Sequence, residues 1–216
     1  MTQPTITADQ LTRDLVTTAD ALRSLYDAPR DVSLRKESAE LTDLERAFIE
    51  AAPFYLLATS APDGTCDVTP RGDPPGSVLV VDERTLVLPD RPGNNRLDAL
   101  WNIVANPHVG LLFLVPGCDE TLRVNGTATL TTNPEVLAAL AMGDKAPRLA
   151  IVVRTEAVYM HCARAFRRSR LWDTTTWPEA GSVPRMPEVL KAKLGLAESV
   201  EEIAAEREER YRTTLY

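Results

Sequence analysis

Six side chains in one 46-residue stretch, Thr85 to Leu130, have the types and positions that anion chemistry needs. Arg91, Asn94, Asn95 and Arg96 cluster in a loop between an apolar run and a helical pattern, and Arg123 and Asn125 alternate with apolar residues further on. A phosphate is held by the free N–H groups of a helix start and by guanidinium, which grips two oxygens at once. The loop around Asn94–Arg96 fits that description; the plainer alternative is a helix cap flanked by solvated arginines. Arg123 and Asn125 are harder to read as surface residues, because a guanidinium on a largely buried strand requires a partner, either a ligand or a nearby carboxylate. Arg71 adds a further candidate in TPRGDPPG, where Gly72 and Gly76 let the backbone come close to a ligand.

Other chemistries find less support. The chain has no GxGxxG or GxxxxGK[ST] pattern, which speaks against a Rossmann or P-loop nucleotide site. Its two histidines, His108 and His161, and its three cysteines are not at metal-ligand spacing, and no nucleophile elbow is present. Arg164, Arg167, Arg168 and Arg170 with Trp172 form a basic, aromatic segment that reads either as a surface helix or as a group able to stack on a flat ring.

These side chains need a frame. With 216 residues the chain can bury one substantial core, and a net charge of −7, from 24 Lys plus Arg against 31 Asp plus Glu, argues against a nucleic-acid or anionic-membrane partner. An odd cysteine count gives no disulfide framework, and no apolar run reaches the ~20 residues of a membrane helix, so the expectation is a cytoplasmic protein. Thr7 with Gln10 and the stripe Leu11, Leu15, Ala19, Leu22 predict a helix over 8–27; Thr42 with Glu45, followed by Leu44, Phe48 and Ala51, predicts a second, stopped at Pro53.

From Phe54 the runs shorten to strands. FYLLATS and TCDVTP flank an Asp63-Gly64 turn, SVLVV and TLVLP follow, and this density of antiparallel strands implies a barrel or sandwich. Asn94 or Asn95 is expected to cap the next helix, whose stripe is Leu97, Leu100, Trp101 and Val104. VGLLFLV reads as a central strand, and TLRVNGTATL returns with Leu122, Val124, Ala128 and Leu130 on one face. Asn133-Pro134 opens a short helix, LAIVV and TEAVYMHCA read as two more strands, and Ser199 with Glu202 caps a final helix.

PFYLLAT, DVTPRGDPPG, LVLPDRPGNNR, NPHVGLLFLVPG and ETLRVNGTA, taken in order, resemble the consecutive motifs of the pyridoxamine 5′-phosphate oxidase-like FMN-binding split-barrel flavoproteins. The likeness is to the bacterial subgroup with a GN-x-R phosphate loop and an R-S-x-L-W segment, and it spans about residues 38–178. It implies a mainly β, α+β fold: a six-stranded antiparallel split barrel (53–165) between an N-terminal helical extension (1–52) and a C-terminal segment (166–216). It also implies a homodimer with FMN in two clefts between subunits and, as activity, an FMN-dependent oxidoreductase acting on a small molecule.

Carried over residue by residue, the phosphate would meet Arg91, Asn94, Asn95 and Arg96 with Arg71 nearby. Gly72, Pro89 and Asp90 would face the ribityl chain and ring, Arg123 and Asn125 would sit beside the ring, and Arg168 and Trp172 of the other subunit would close over it. PDRPGNNR departs from the arginine-lysine phosphate motif of true pyridoxamine phosphate oxidases, so oxidation of that substrate is not carried over. The alternatives are a flavin or haem carrier, a reductase using the deazaflavin F420 on the same barrel, and, ranked last, an oligonucleotide-binding barrel surface.

Overall fold

The computed structural model describes residues 5–216, in two compact units divided between Lys36 and Glu37. Among its described residues the first unit holds three short helices, α1 (Ala8–Leu11), α2 (Ala19–Ser24) and α3 (Asp31–Arg35). The expected capping box of Thr7 and Gln10 is present, but the single helix over 8–27 is not. Asp14 adopts a left-handed φ of 53°, which no helix continues through, and Thr18 caps a fresh start with its side chain. Leu11, Leu15 and Leu22, the residues of the predicted stripe, are all exposed.

The second unit is built on a seven-stranded, wholly antiparallel sheet. Its strands are β1 (Phe54–Ser60), β2 (Cys66–Gly72), β3 (Leu79–Asp82), β4 (Thr85–Asp90), β5 (His108–Leu114), β6 (Thr121–Thr131) and β7 (Leu149–His161), in the order β2-β1-β5-β6-β7-β4-β3. The expectation of six strands in a barrel is corrected on two counts. Among the described residues there are seven strands, and the hydrogen-bonded ladder does not close: β2 and β3 are its two edges. LAIVV and TEAVYMHCA, read as two strands, are the two halves of β7, since the polar Arg154-Thr155 step interrupts the apolar pattern without interrupting the pairing.

The long β6–β7 hairpin is the spine. One half of it, residues 121–125 against 157–161, carries β5 and β1 beside β6, and the other half carries β4 beside β7. The register shifts between the halves, where Asn125 pairs with Ala157 but Gly126 with Thr155, leaving Glu156 as the extra residue of a bulge. Glycine is required there: a Cβ on residue 126 would overlap the Arg154 carbonyl. A bulge in mid-spine raises the local twist.

One face of the sheet holds a continuous core that includes Tyr55, Leu57, Leu86, Leu88, Phe113, Leu122, Val124, Ile151 and Val158. Two helices complete it. On α4 (Asp43–Ala51), capped by Thr42 and Glu45 as expected, the buried contact is Ile49, whereas Leu44 of the predicted face is 84 % exposed. On α5 (Asp98–Ala105) the buried residues are Ala99, Asn102 and Ile103. Leu97, Trp101 and Val104, read as the packing stripe, are exposed, and of that stripe Leu100 alone joins the core. The short helix α6 (Pro134–Ala139), opened by Asn133 as expected, covers Val87 and Ala150 on the back of the sheet. That accounts for the apolar run in β4, which is buried on both faces.

Three helices end the chain: α7 (Arg164–Ser169), α8 (Met186–Leu194) and α9 (Val200–Thr214), the last capped by Ser199 and Glu202 as read. Among the described residues no helix is long and apolar enough to cross a membrane, and no disulfide joins Cys66, Cys118 or Cys162.

Candidate functional site between the sheet edges

β2 ends in Pro70-Arg71-Gly72 with Asp73 following, and β4 ends in Pro89-Asp90 with Arg91 following. No ladder joins β2 to β4, yet two ion pairs do. Arg71 donates through Nη1 to Asp90 Oδ1 at 2.7 Å, and Arg91 donates through Nε to Asp73 Oδ2, also at 2.7 Å. Both are largely withdrawn from solvent: the Arg91 and Asp73 side chains keep only 13 % and 7 % of their exposure. Beneath them lies Tyr55, which faces Arg71 across the β1–β2 pairing and packs on Phe113 at 5.2 Å between ring centroids. Burial pushes the Tyr55 hydroxyl well above the ordinary tyrosine value of 10.0, with Arg71 and Arg91 opposing and Asp73 and Asp90 reinforcing the shift.

The seam therefore gathers five of the candidate residues, Arg71, Gly72, Pro89, Asp90 and Arg91. Residue type and spacing single out neither Asp73 nor Tyr55. The signal is the mirrored order of charge in Arg-Gly-Asp and Asp-Arg at two strand ends. As arranged, the four charges sum to zero, so the seam is not a bare cationic pit. Each guanidinium has five N–H donors, and each ion pair engages one nitrogen, which leaves the other N–H groups of Arg71 and Arg91 for a ligand.

Arg91 borders a cavity of about 120 Å³ walled by the Pro74-Pro75-Gly76 turn on one side and residues 139–142 on the other. Gly76 takes a φ of 83°, which a side chain would disfavour. Ligand clefts run from roughly 300 Å³ upward, so this space admits a phosphate-sized group and not a fused ring system.

The loop from Arg91 to Leu97 differs from expectation. Neither Asn94 nor Asn95 caps α5: the helix begins at Asp98, its N-cap is Leu97, and no side chain serves as the cap. Asn94 instead folds the loop on itself by accepting the Arg96 amide at 3.0 Å. Asn95 and Leu97 both take left-handed φ, 58° and 62°, and for a branched apolar residue such as Leu97 that is a strained conformation of about 1–3 kcal/mol. Arg96 is exposed and pairs with Asp98 at 2.8 Å, a bond that holds its guanidinium charge still more firmly. Asn102, on the buried side of α5, donates to Thr59 Oγ1 at 3.0 Å and Asp67 Oδ2 at 2.7 Å, tying the helix to β1 and β2.

The remaining candidates lie elsewhere. Arg123 and Asn125 project from the sheet face opposite the core. Arg123 finds its partner in Tyr159, donating to the hydroxyl at 2.9 Å with its guanidinium 5.5 Å from the ring centre. Asn125 lines an open hollow of about 440 Å³ on that face, floored by Ala58, Gly110 and Gly126 and edged by His108 and Glu156. Arg168 is exposed on α7. Trp172 is anchored within its own chain: its indole N–H donates to the Cys118 carbonyl at 2.8 Å and its ring stacks on Phe166 at 5.6 Å. Among the described residues no cluster of His, Cys, Asp and Glu could hold a metal.

A protein-family model described as pyridoxamine 5′-phosphate oxidase matches residues 41–162, from just before α4 to the end of the sheet. The chain belongs to the pyridoxamine 5′-phosphate oxidase family. Both strand ends of the seam and the Arg91–Leu97 loop fall inside the matched region, and α7, Trp172 and α9 fall outside it. No curated protein sequence matches the chain.

Several solved structures are similar to this family member. HupZ of Group A Streptococcus is 16 % identical with a TM-score of 0.45, covering 55 % of this chain and 91 % of that one. A putative pyridoxamine 5′-phosphate oxidase from Lactobacillus delbrueckii is 23 % identical with a TM-score of 0.45, covering 56 % and 95 %. An FMN-binding protein from Syntrophomonas wolfei is 10 % identical with a TM-score of 0.40, covering 55 % and 89 %.

Proposed function

We propose that this chain binds FMN at the seam between β2 and β4 and works as an FMN-dependent oxidoreductase on a small molecule. The observation that carries this reading is Arg91, with N–H groups to spare, set at the rim of a phosphate-sized cavity beside the Arg71–Asp90 pair. Membership of a family named for a flavin-dependent oxidase supports it.

In this reading Arg91, Asn94, Asn95 and Arg96 grip the phosphate with Arg71 nearby, while Asp73 and Asp90 hold Arg71 and Arg91 in fixed orientations for it. Gly72 and Pro89 offer backbone at the two strand ends to the ribityl chain and the ring. Bound FMN would supply hydride exchange at its N5; the chain supplies binding, orientation and exclusion of water. The unit spanning 53–165 is the flavin-binding core. The full site is formed in a homodimer, with Arg123 and Asn125 on the outer sheet face, and Arg168 and Trp172, contributed across the interface of two such faces.

Replacing Arg96 with Ala tests the phosphate assignment: FMN affinity falls by at least ~1.5 kcal/mol, the low end for a hydrogen bond to a charged group. An unchanged affinity removes it. Dilution of the flavin-loaded protein below its dimer dissociation constant releases FMN, and a monomer that retains it tightly would rule out a site shared between subunits. Reduction of the bound flavin by NADH or NADPH separates an enzyme from a carrier.

A further inference from the structure

Tyr216 lies two residues beyond the end of α9 and is held against the seam by two contacts. Its ring covers the Arg91 guanidinium, 5.7 Å from ring centre to Cζ. Burial, and then the neighbouring Asp73 carboxylate, raise the pKa of its hydroxyl against the opposing charge of Arg91. Its main-chain carbonyl accepts from Lys145 Nζ at 3.1 Å.

The two contacts reach both banks of the small cavity. Arg91 belongs to the bank formed by the strand ends and the Pro74-Pro75-Gly76 turn. Lys145 is paired through its main chain with Met142, in both directions, at 3.0 and 3.2 Å, and Met142 lines the opposite bank. Tyr216 thus touches Arg91 on one bank and, through Lys145, the neighbour of Met142 on the other, although it does not itself line the cavity.

We propose that Tyr216 is a latch on this site: it covers Arg91 when no anion is bound and swings aside to admit a phosphate-bearing ligand. The ring lies on one face of the guanidinium and Asp73 takes its Nε edge, which narrows the approach of a phosphate to the remaining in-plane N–H groups. The contacts that hold the latch are single ones, a cation–π pair at 5.7 Å and an exposed ammonium–carbonyl bond. The arm that carries it is also loosely moored. Ile203 is the only buried side chain of α9, so the last turns can shift without opening the core. The covering of Arg91 is independent of which anion enters; the identity of that anion as FMN rests on the function proposed above.

The test uses the full-length protein and its Tyr216→Ala, Tyr216→Phe and Lys145→Ala variants. Phenylglyoxal modification of Arg91, followed by peptide mass spectrometry without flavin, is expected to quicken about two- to fivefold in Tyr216→Ala, the range of one modest cation–π contact. It quickens less in Lys145→Ala and Tyr216→Phe, while Arg123, on the far sheet face, reacts at one rate in all four proteins. Equal Arg91 rates in wild type and Tyr216→Ala overturn the latch. FMN association measured by flavin fluorescence is the second arm, and it should quicken in Tyr216→Ala by a similar factor. Weaker FMN binding in that variant would make Tyr216 a wall of the closed site and would also overturn the proposal. Faster Arg91 labelling with no FMN binding in any variant upholds the latch and sinks FMN as its ligand.

Discussion

Arg71 of β2 and Asp90 of β4 meet at 2.7 Å although their strands stand at positions one and six of an open seven-stranded sheet. With the parallel contact of Arg91 and Asp73, charge bridges the gap where a closed barrel would carry main-chain hydrogen bonds. The Arg71 and Asp90 side chains keep 19 % and 20 % of their exposure, so solvent screens the pair only in part. Arg71→Ala is therefore expected to destabilise the fold by about 1–3 kcal/mol, below the range for a wholly buried pair that loses one partner. The double variant Arg71→Ala/Asp90→Asn should recover part of that loss, because no carboxylate is then left unpaired. Urea unfolding of the two variants checks this, and a double variant less stable than the single one would mean that the pair does not couple across the gap.

Gly126 makes a second, steric prediction. Its backbone passes so close to the Arg154 carbonyl that any Cβ must push the bulge apart, and the bulge is the middle of the β6–β7 spine. Gly126→Ala should cost about 1–3 kcal/mol or more, as overpacking does. Gly110→Ala is the control, since a Cβ there would meet Asn125 and Ala58 at ordinary distances of 3.5 and 3.7 Å. Equal unfolding midpoints for the two would show that the bulge yields.

Asn102 supports a third. Its two side-chain bonds fasten α5 to Thr59 and Asp67, and all three groups are shielded. Asn102→Ala strands an acceptor on each strand and should lower stability by about 1–3 kcal/mol. Asn106→Ala, which removes one half-buried bond to Ser60 at the helix's other end, should cost less. Thermal unfolding in parallel ranks the two.

Asn102 also shows where the sequence stops being legible. The 3.6-residue period locates α5 correctly, and Thr42/Glu45, Asn133/Pro134 and Ser199/Glu202 mark helix starts because a cap is a contact within one turn. Which face of a helix is buried is decided by what lies opposite. On α5 it is the face carrying Asn102, whose partners Thr59 and Asp67 lie 43 and 35 residues away, and not the more apolar face of Trp101 and Val104. The stripe over residues 11–22 misleads for the same reason: it is apolar, periodic and exposed.

At the site, the arginines are legible as donors and their carboxylate partners are not. Asp90 and Asp73 reach Arg71 and Arg91 over 19 and 18 residues of chain, through the curl of a sheet whose central bulge no local pattern announces. Strand count fails at β7 because a polar step inside a strand looks like a turn until its pairing partner is known.

Tyr55 yields the last prediction, in pH. Its folded-state pKa lies above the ordinary 10.0 because burial disfavours the phenolate. The sign follows from proton counting. Above pH 10 the unfolded chain releases the Tyr55 proton while the folded chain keeps it, so the unfolded state is favoured progressively as pH rises. The contribution is fully present below that value and is lost at up to about 1.4 kcal/mol per pH unit above it. Tyr55→Phe cannot release a proton, so its stability should fall less steeply than wild type between pH 9.5 and about 11, a window set by the raised value. Unfolding midpoints of both proteins across that range decide the matter. Parallel slopes would mean that the Tyr55 hydroxyl is not shielded beneath the Arg71–Asp90 and Arg91–Asp73 pairs.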